Sequence, residues 1–135
     1  MSKNLKNIHK KWTIFSENVP RLYFWELHDK AGVLVILLKS DETQERVLKI
    51  TFNGVLSYKV AIEAACLTRM RDNEHSGHSG PFYIVNNSAY LDSIISEGGG
   101  IFDDSELVHY SIWDSDNIID IISGPPVDVK WIISD

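Results

Sequence analysis

The chain has 135 residues, of which 44% are hydrophobic and 24% are charged, and its formal net charge is −6. This composition is typical of a soluble globular protein and not of a disordered one, and the length fits a single domain spanning residues 1–135. A chain of this size can bury a sufficient hydrophobic core without a metal or a disulfide, and its one cysteine, Cys66, leaves no partner for an intrachain bridge. The negative charge argues against a protein dedicated to nucleic acid or to an anionic membrane.

The start of the chain and its apolar runs bear on localisation. The basic segment Met1 to Lys11 is not followed by an apolar stretch of the length that a signal peptide needs. The longest apolar run, Val33 to Leu38, is far shorter than the roughly 20 residues of a membrane helix. We therefore expect a cytoplasmic protein that does not bind membranes.

The first half of the sequence predicts three antiparallel strands in a meander. The aromatic-rich segment Arg21 to His28 favours a strand, and Asp29 to Gly32 provides the turn of a hairpin into Val33 to Lys39. The apolar run within this second strand is typical of burial on both faces. Glu45 to Phe52 then alternates between apolar and polar residues, which predicts a third strand with one solvated face.

The middle of the sequence predicts a helix, a loop and a short strand. Apolar residues recur at three- and four-residue spacings from about Tyr58 to Arg71, and the alanines there favour a helix. Asp72 to Pro81 is rich in turn-forming residues and lacks periodicity, so it predicts an exposed loop. Phe82 to Val85 is a short strand on this interpretation.

A second helix is predicted after that strand. Asn87 or Ser88 can serve as its N-cap, and Gly98 follows its last turn. The apolar stripe of this helix consists of Leu91, Ile94 and Ile95.

The remaining residues predict a second meander. Glu106 to Trp113 alternates as a strand does, Asp114 to Asn117 forms a turn into Ile118 to Ser123, and Gly124 to Pro126 reverses the chain into Val127 to Ile133. The predicted fold class is α+β: a largely antiparallel sheet of about six to eight strands, built from two meanders, with two short helices packed on one side.

Three groups of side chains were considered for metal binding or nucleophilic catalysis, and none supports either. His75 and His78 have only weak additional zinc ligands nearby, so a solvated loop is the better interpretation. Asp114 and Asp116 lack the glycine and glutamate of a calcium loop, and they are typical of a turn in which carboxylates cap backbone groups. Cys66 lies on the apolar stripe of the first predicted helix, where thiols are usually inert. We therefore expect no metal, no cofactor and no catalytic residue.

His109 is the alternative to that expectation. It lies in a predicted strand among acids, and it could act as a general base with Glu106 or Asp120. The sequence shows no nucleophile for it to activate, and a histidine on a sheet face is commonly structural. A pocket that holds His109 at hydrogen-bond distance from a carboxylate would favour a small enzyme.

The acidic residues are concentrated in the last third of the chain. Residues 1–85 carry a net charge of +3, whereas residues 86–135 carry −9 with a single base, Lys130. The alternation allows these acids to gather at one end and face of one sheet, where their field would steer a basic partner, and Trp113 could anchor that partner. The predicted partner-binding residues are Asp103, Asp104, Glu106, Trp113, Asp114, Asp116 and Asp120.

Several stretches of the chain resemble a known family. They are Ile50 to Tyr58, Phe82 to Ser88, and His109 to Trp113 continuing through Asp120 to Ser123 with Pro125, Val127 and Trp131. With this layout the chain resembles the immunity proteins of bacterial contact-dependent growth inhibition and related polymorphic toxin systems.

The resemblance implies a cytoplasmic, non-enzymatic protein that binds the C-terminal domain of one cognate toxin, often a nuclease, and blocks its active site. It implies no catalytic residue, and the acidity fits a nuclease because the substrate groove of a nuclease is basic. The toxin could instead be held through the face that carries Trp25 or through the loop from His75 to His78. We expect a monomer or weak dimer, and a generic protein-binding adaptor is a further alternative.

Overall fold

The computed structural model describes residues 7–13, 21–40, 46–62, 81–103, 106–114 and 116–133. The strands within these ranges are β1 (Ile8–Lys11), β2 (Leu22–Lys30), β3 (Val33–Ser40), β4 (Arg46–Ile62), β5 (Phe82–Asn86), β6 (Val108–Trp113) and β7 (Asn117–Ile133), and the helix is α1 (Ala89–Glu97). All seven strands belong to one antiparallel sheet, in the order β1-β5-β6-β7-β4-β3-β2. A mostly antiparallel sheet with a short helix agrees with the α+β class.

The first predicted meander is present. Strands β2, β3 and β4 are neighbours in the sheet, and β2 joins β3 through a turn at Ala31 and Gly32. Both turn residues have positive φ, 52° and 83°, which is the conformation that a two-residue type I′ hairpin turn requires. Along β3, one face is fully buried and the other is half-buried. The prediction that both faces are buried is therefore confirmed fully for one face and partly for the other.

The first predicted helix is wrong where the structure describes it. Residues Tyr58 to Ile62 continue strand β4, and they pair with β7 as far as Ile62 opposite Asn117. Residues 63–71 of that prediction, with Cys66, lie outside the described residues. The apolar residues Tyr58, Val60 and Ile62 also fit a period of two, and pairing with a strand distant in sequence decides between the two periods.

The last predicted turn is also wrong. Residues Gly124 to Pro126 do not reverse the chain, because β7 continues to Ile133 beside β4. Pro125 and Pro126 lie where the register skips from Phe52 opposite Val127 to Gly54 opposite Gly124. A bulge of this kind tolerates proline, since no ladder hydrogen bond is needed from its nitrogen. Within the second predicted meander, the pairing of β6 with β7 is confirmed.

The long strands β4 and β7 connect two parts of a strongly curved sheet. The first half of β4 pairs with β3, and the first half of β7 pairs with β6. Four strand spacings, about 19 Å in a flat sheet, separate β2 from β6. Nevertheless, the Phe24 N–H donates to Asp114 Oδ2 at 2.5 Å, so the sheet folds over on itself.

The core fills the inside of this curved sheet. The rings of Phe52, from β4, and Tyr110, from β6, lie 5.3 Å apart, and Trp12 lies 4.6 Å from Tyr110. The buried members of the core are Leu22, Leu34, Ile36, Leu38, Leu48, Ile50, Phe52, Phe82, Ile112, Ile119 and Ile121.

The second predicted helix is confirmed as α1, with Ser88 as its N-cap. Ser88 Oγ accepts a hydrogen bond from the Leu91 N–H at 2.9 Å, and the Gly98 N–H donates to the Ile94 carbonyl. Asn87 precedes the cap with a φ of 53°. No helix in the described ranges is long and apolar enough to span a membrane.

Candidate functional site

Three buried polar side chains form a hydrogen-bonded chain at the N-terminus of α1. Ser88 Oγ lies 2.6 Å from His109 Nδ1, and Asp120 Oδ1 lies 2.7 Å from His109 Nε2. Ser88, His109 and Asp120 are 3%, 4% and 1% exposed. The chain thus connects the helix to strands β6 and β7 through groups that are almost fully buried.

The alternation of side chains along the strands positions this group. In β6, Tyr110 joins the core packing whereas His109 points to the opposite face, as their neighbouring positions require. Asp120 on β7 lies opposite Ser111, which places it diagonally from His109 on the same face. Ser88 comes within reach because Val85 at the end of β5 pairs with His109.

The hydrogen-bonding capacity of each group assigns the protons. The Asp120 carboxylate can only accept, so His109 Nε2 carries a hydrogen and donates it. In the neutral imidazole, Nδ1 is then an acceptor, and the Ser88 hydroxyl donates to it. Ser88 Oγ still accepts from the Leu91 N–H, so the serine is both a helix cap and a donor to the imidazole.

A pocket of about 350 Å³ adjoins His109. Its lining residues are Asn7, His9, Lys59, Val85, Ala89, Tyr90, Ser93 and His109. The Tyr90 hydroxyl is hydrogen bonded to Ser57, and Lys59 Nζ lies 4.5 Å from the centre of the Tyr90 ring. Asn7 Oδ1 accepts from the Ala89 N–H at 2.9 Å, at the first turn of α1.

Tyr90, which lines this pocket, has a raised pKa. Burial raises the pKa of Tyr90 above 10.0, the hydrogen bond with Ser57 lowers it, and the charge of Asp120 raises it. The phenol is therefore protonated at neutral pH and can donate or accept a hydrogen bond in the pocket.

The predicted acidic residues do not gather at one end of the sheet. Asp103 and Glu106 precede β6, whereas Asp114 and Asp116 follow it, and six residues of strand separate the two pairs by about 20 Å. Asp104 lies outside the described residues. The prediction of a single acidic sheet end is therefore wrong, because the segments before and after a strand lie at opposite ends of that strand.

Asp120, a member of the predicted partner-binding set, is buried, and its carboxylate is hydrogen bonded to His109. Trp113 is half-buried, and its Nε1–H donates to Ser111 Oγ at 2.7 Å. Within the described ranges, the members of the predicted set with exposed side chains are Asp103, Glu106 and Asp116.

Asp114 holds the turn between β6 and β7. Its Oδ1 accepts from the N–H groups of Asp116 and Asn117, and its Oδ2 accepts from Phe24. The interpretation of this segment as a carboxylate-capped turn is confirmed.

The residue that follows Phe24, which is bonded to this turn, is an exposed tryptophan. Trp25 is 39% exposed, and it occupies a bulge of the edge strand β2 between Phe24 and Glu26. Lys39 Nζ lies 3.6 Å from the centre of the indole ring. We call Trp25, Glu26, Asp114 and Asp116 the bulge–turn surface, because the hydrogen bond from Phe24 to Asp114 joins the bulge to the turn.

Part of the hydrogen-bonded group of Ser88, His109 and Asp120 was predictable from the sequence. Of the two carboxylates considered for His109, Asp120 makes the hydrogen bond, whereas Glu106 is exposed. His109 lines a pocket, and its Nε2 lies 2.7 Å from the Asp120 carboxylate. Ser88 was identified only as a possible cap, because its contact with His109 depends on the pairing of β5 with β6. His75 and His78 lie outside the described residues.

Comparison of the chain with protein-family models, with curated proteins and with solved structures finds no match. The functional interpretation therefore depends on the residues and contacts described above.

Proposed function

We propose that this chain is a protein-binding inhibitor of the immunity type, which neutralises a basic cognate toxin domain by covering its active site. The bulge–turn surface is the contact area in this proposal. The observation that carries it is the hydrogen bond from the Phe24 N–H to Asp114, which joins the bulge that contains the exposed Trp25 to an acidic turn. Large aromatic side chains surrounded by charge complementary to the partner are typical of the residues that contribute most to binding.

The charge of the C-terminal part supports a basic partner. Residues 86–135 carry −9, and Asp116 contributes an exposed carboxylate to the bulge–turn surface. A nuclease binds phosphates in a positively charged groove, so a protein that presents carboxylates and a ring can occupy that groove in place of the substrate. Asp103 and Glu106, at the other end of β6, extend the negative field that steers association.

The surface is held in place before a partner arrives. The Asp114 carboxylate accepts three backbone N–H groups, which fixes the turn, and the Lys39 ammonium lies over the Trp25 ring. Groups that are already ordered lose little conformational entropy on binding, so more of the contact energy appears as affinity.

Co-expression tests this function. The first step is to read the neighbouring reading frames: the proposal expects one that encodes a large secreted protein with a variable C-terminal domain, and that domain is the toxin to use. We expect this chain to restore growth of a bacterial host that produces the toxin domain, and to form a stable complex with it whose association slows as salt is added. If the chain neither protects the host nor binds the domain, the proposed function is wrong.

Two variants test the surface separately from the function. Trp25→Ala combined with Asp116→Lys should weaken binding by at least tenfold, because it removes the ring and reverses a charge at the contact. Asp128→Lys is the matched control, since Asp128 is an exposed acid of β7 outside the bulge–turn surface. Equal loss of affinity in both proteins would place the contact elsewhere.

A further inference from the structure

The chain Ser88–His109–Asp120 has the connectivity of an acyl-transfer site. We propose that Ser88 is a nucleophile activated by His109, with Asp120 as the positioning residue, and that it acts on a small acyl ester bound in the adjoining pocket. This activity is separate from toxin binding, and neither proposal depends on the other.

Two hydrogen bonds meet the first requirements of such a site. A hydroxyl must donate to an imidazole nitrogen, and the other nitrogen must donate to a carboxylate that holds the ring and its tautomer. Ser88 and Asp120 satisfy both at 2.6 Å and 2.7 Å from His109. Here the serine contacts Nδ1 and the aspartate contacts Nε2, whereas serine hydrolases commonly have the reverse arrangement. The proton can still pass from the hydroxyl to the imidazole.

The backbone around Ser88 suits a nucleophile. Strand β5 ends at Asn86, Asn87 turns the chain with a φ of 53°, and Ser88 caps α1. A sharp turn from a strand into a helix is the setting in which hydrolases present a serine. The partial positive charge at the N-terminus of the helix favours the negative charge that develops during attack.

The resting structure also shows a substitute for the substrate carbonyl. The N–H of the residue that follows a serine nucleophile commonly binds the oxyanion, and here the Ala89 N–H holds the side-chain carbonyl oxygen of Asn7 at 2.9 Å. Asn7 is exposed and lines the pocket. A substrate ester would displace this amide and place its own carbonyl there. Because Ser88 is 3% exposed and the pocket is lined by its neighbours Ala89 and His109, this displacement must also uncover the Ser88 hydroxyl.

The reaction balances without a metal, an oxidant or a cofactor. Ser88 Oγ attacks the acyl carbon while its proton moves to His109 Nδ1, which gives a tetrahedral oxyanion. This intermediate collapses with cleavage of the bond to the alcohol oxygen, and the imidazolium returns the proton to the departing alkoxide. Water then attacks the acyl-serine with His109 as base, which releases a carboxylic acid and restores the Ser88 hydroxyl.

Labelling with a fluorophosphonate tests the proposal. This probe forms a bond from phosphorus to an activated serine oxygen and loses fluoride, and mass spectrometry locates the modified residue. We expect the label on Ser88, no label in Ser88→Ala, and unchanged labelling in Ser96→Ala, an exposed serine of α1 outside the pocket. A label confined to other residues would overturn the proposal.

Asn7→Ala keeps the proposal testable if Ser88→Ala fails to fold. Removal of the competing amide should raise the labelling rate of Ser88 by about tenfold, the factor that corresponds to one hydrogen bond. If neither the native chain nor Asn7→Ala is labelled on Ser88, while circular dichroism shows both folded, the proposal is wrong.

The role of Asp120 is tested by the pH dependence of labelling. In Asp120→Asn, the amide can donate to Nε2, which leaves the hydrogen on Nδ1 and removes the acceptor for the Ser88 proton. We expect a loss of roughly 10²- to 10⁴-fold near neutral pH, with a rate that keeps rising with hydroxide concentration. Labelling with the rate and pH profile of the native chain would show that Asp120 does not position the base.

Discussion

Individual carboxylates in this chain have roles that their charge alone does not indicate. Asp114, Asp116 and Asp120 are close in sequence and all acidic, yet one caps a turn, one is exposed and one is buried against a histidine. The difference arises because N–H groups and the imidazole take up the first and third carboxylates, while the second faces solvent. The alternation in β6 and β7 was enough to predict that Asp120 and His109 share a face, but not that the helix buries them.

Replacement of Asp114 tests its structural role. Asp114→Ala leaves the N–H groups of Phe24, Asp116 and Asn117 without their acceptor, so the free energy of unfolding should fall by about 1–3 kcal/mol. Urea unfolding followed by tryptophan fluorescence measures this change. Asp116→Ala is the control, and we expect it to stay within about 0.5 kcal/mol of the native chain because its side chain is exposed. Equal midpoints for both variants would contradict the assignment.

The raised pKa of Tyr110 leads us to expect a loss of stability at alkaline pH. Burial raises the pKa of Tyr110 above 10.0, so between 10.0 and the raised pKa the folded chain keeps a proton that the unfolded chain has lost. The contribution of this group to the free energy of unfolding is complete below pH 10.0 and is lost as pH rises through the raised pKa. Stability therefore falls in that range. Thermal unfolding should show a smaller alkaline loss in Tyr110→Phe than in the native chain. An identical decrease in both proteins, after normalisation to their melting temperatures near neutral pH, would contradict this.

For single strands and helices, the sequence predicts the structure well where the contacts are local. It predicts it poorly where the element depends on pairing with a strand distant in sequence. The hairpin of β2 and β3 was predictable because its turn residues, its aromatic-rich first strand and its apolar second strand lie within one short stretch of sequence. Strand β4 was not, since the segment from Tyr58 fits both a helical and a strand period, and only its pairing with β7 selects the strand. The same limit applies to Ser88, whose contact with His109 requires β5 beside β6.

At Gly54 in β4, a side chain would meet the backbone of β7. A Cβ at this residue would lie 3.1 Å from the Pro125 carbonyl oxygen and 3.2 Å from that of Gly124, and these backbone atoms have little freedom to move. Gly54→Ala should therefore destabilise the chain by about 1–3 kcal/mol in urea unfolding. Gly124→Ala is the matched control, because its nearest contact would be 3.4 Å from the Glu106 carbonyl oxygen, an ordinary separation. If Gly124→Ala costs as much as Gly54→Ala, close approach is not the reason for the glycine.

For the whole molecule, the uneven charge of the sequence remains informative after its location is corrected. Within the described ranges, the exposed members of the predicted acidic set flank both ends of β6 instead of forming one cluster, so the negative field is broad. The sequence was sufficient to predict the sign of that field and the class of the fold. It was insufficient to predict that Trp25 and Asp114 share a surface, because the curvature that brings β2 to the β6–β7 turn is a property of the assembled sheet.

The central pair of strands has a consequence for the synthesis of the protein. The paired residues Ile62 and Asn117 are 55 positions apart, and Arg46 and Ile133 are 87 positions apart. At translation rates of about 5–20 residues per second, β4 waits roughly 4–14 s for β7 to be made, and during this time one of its edges is unpaired. An open apolar edge is a template for pairing with another chain. The period of greatest aggregation risk for this protein thus lies on the ribosome, before its central strand is complete.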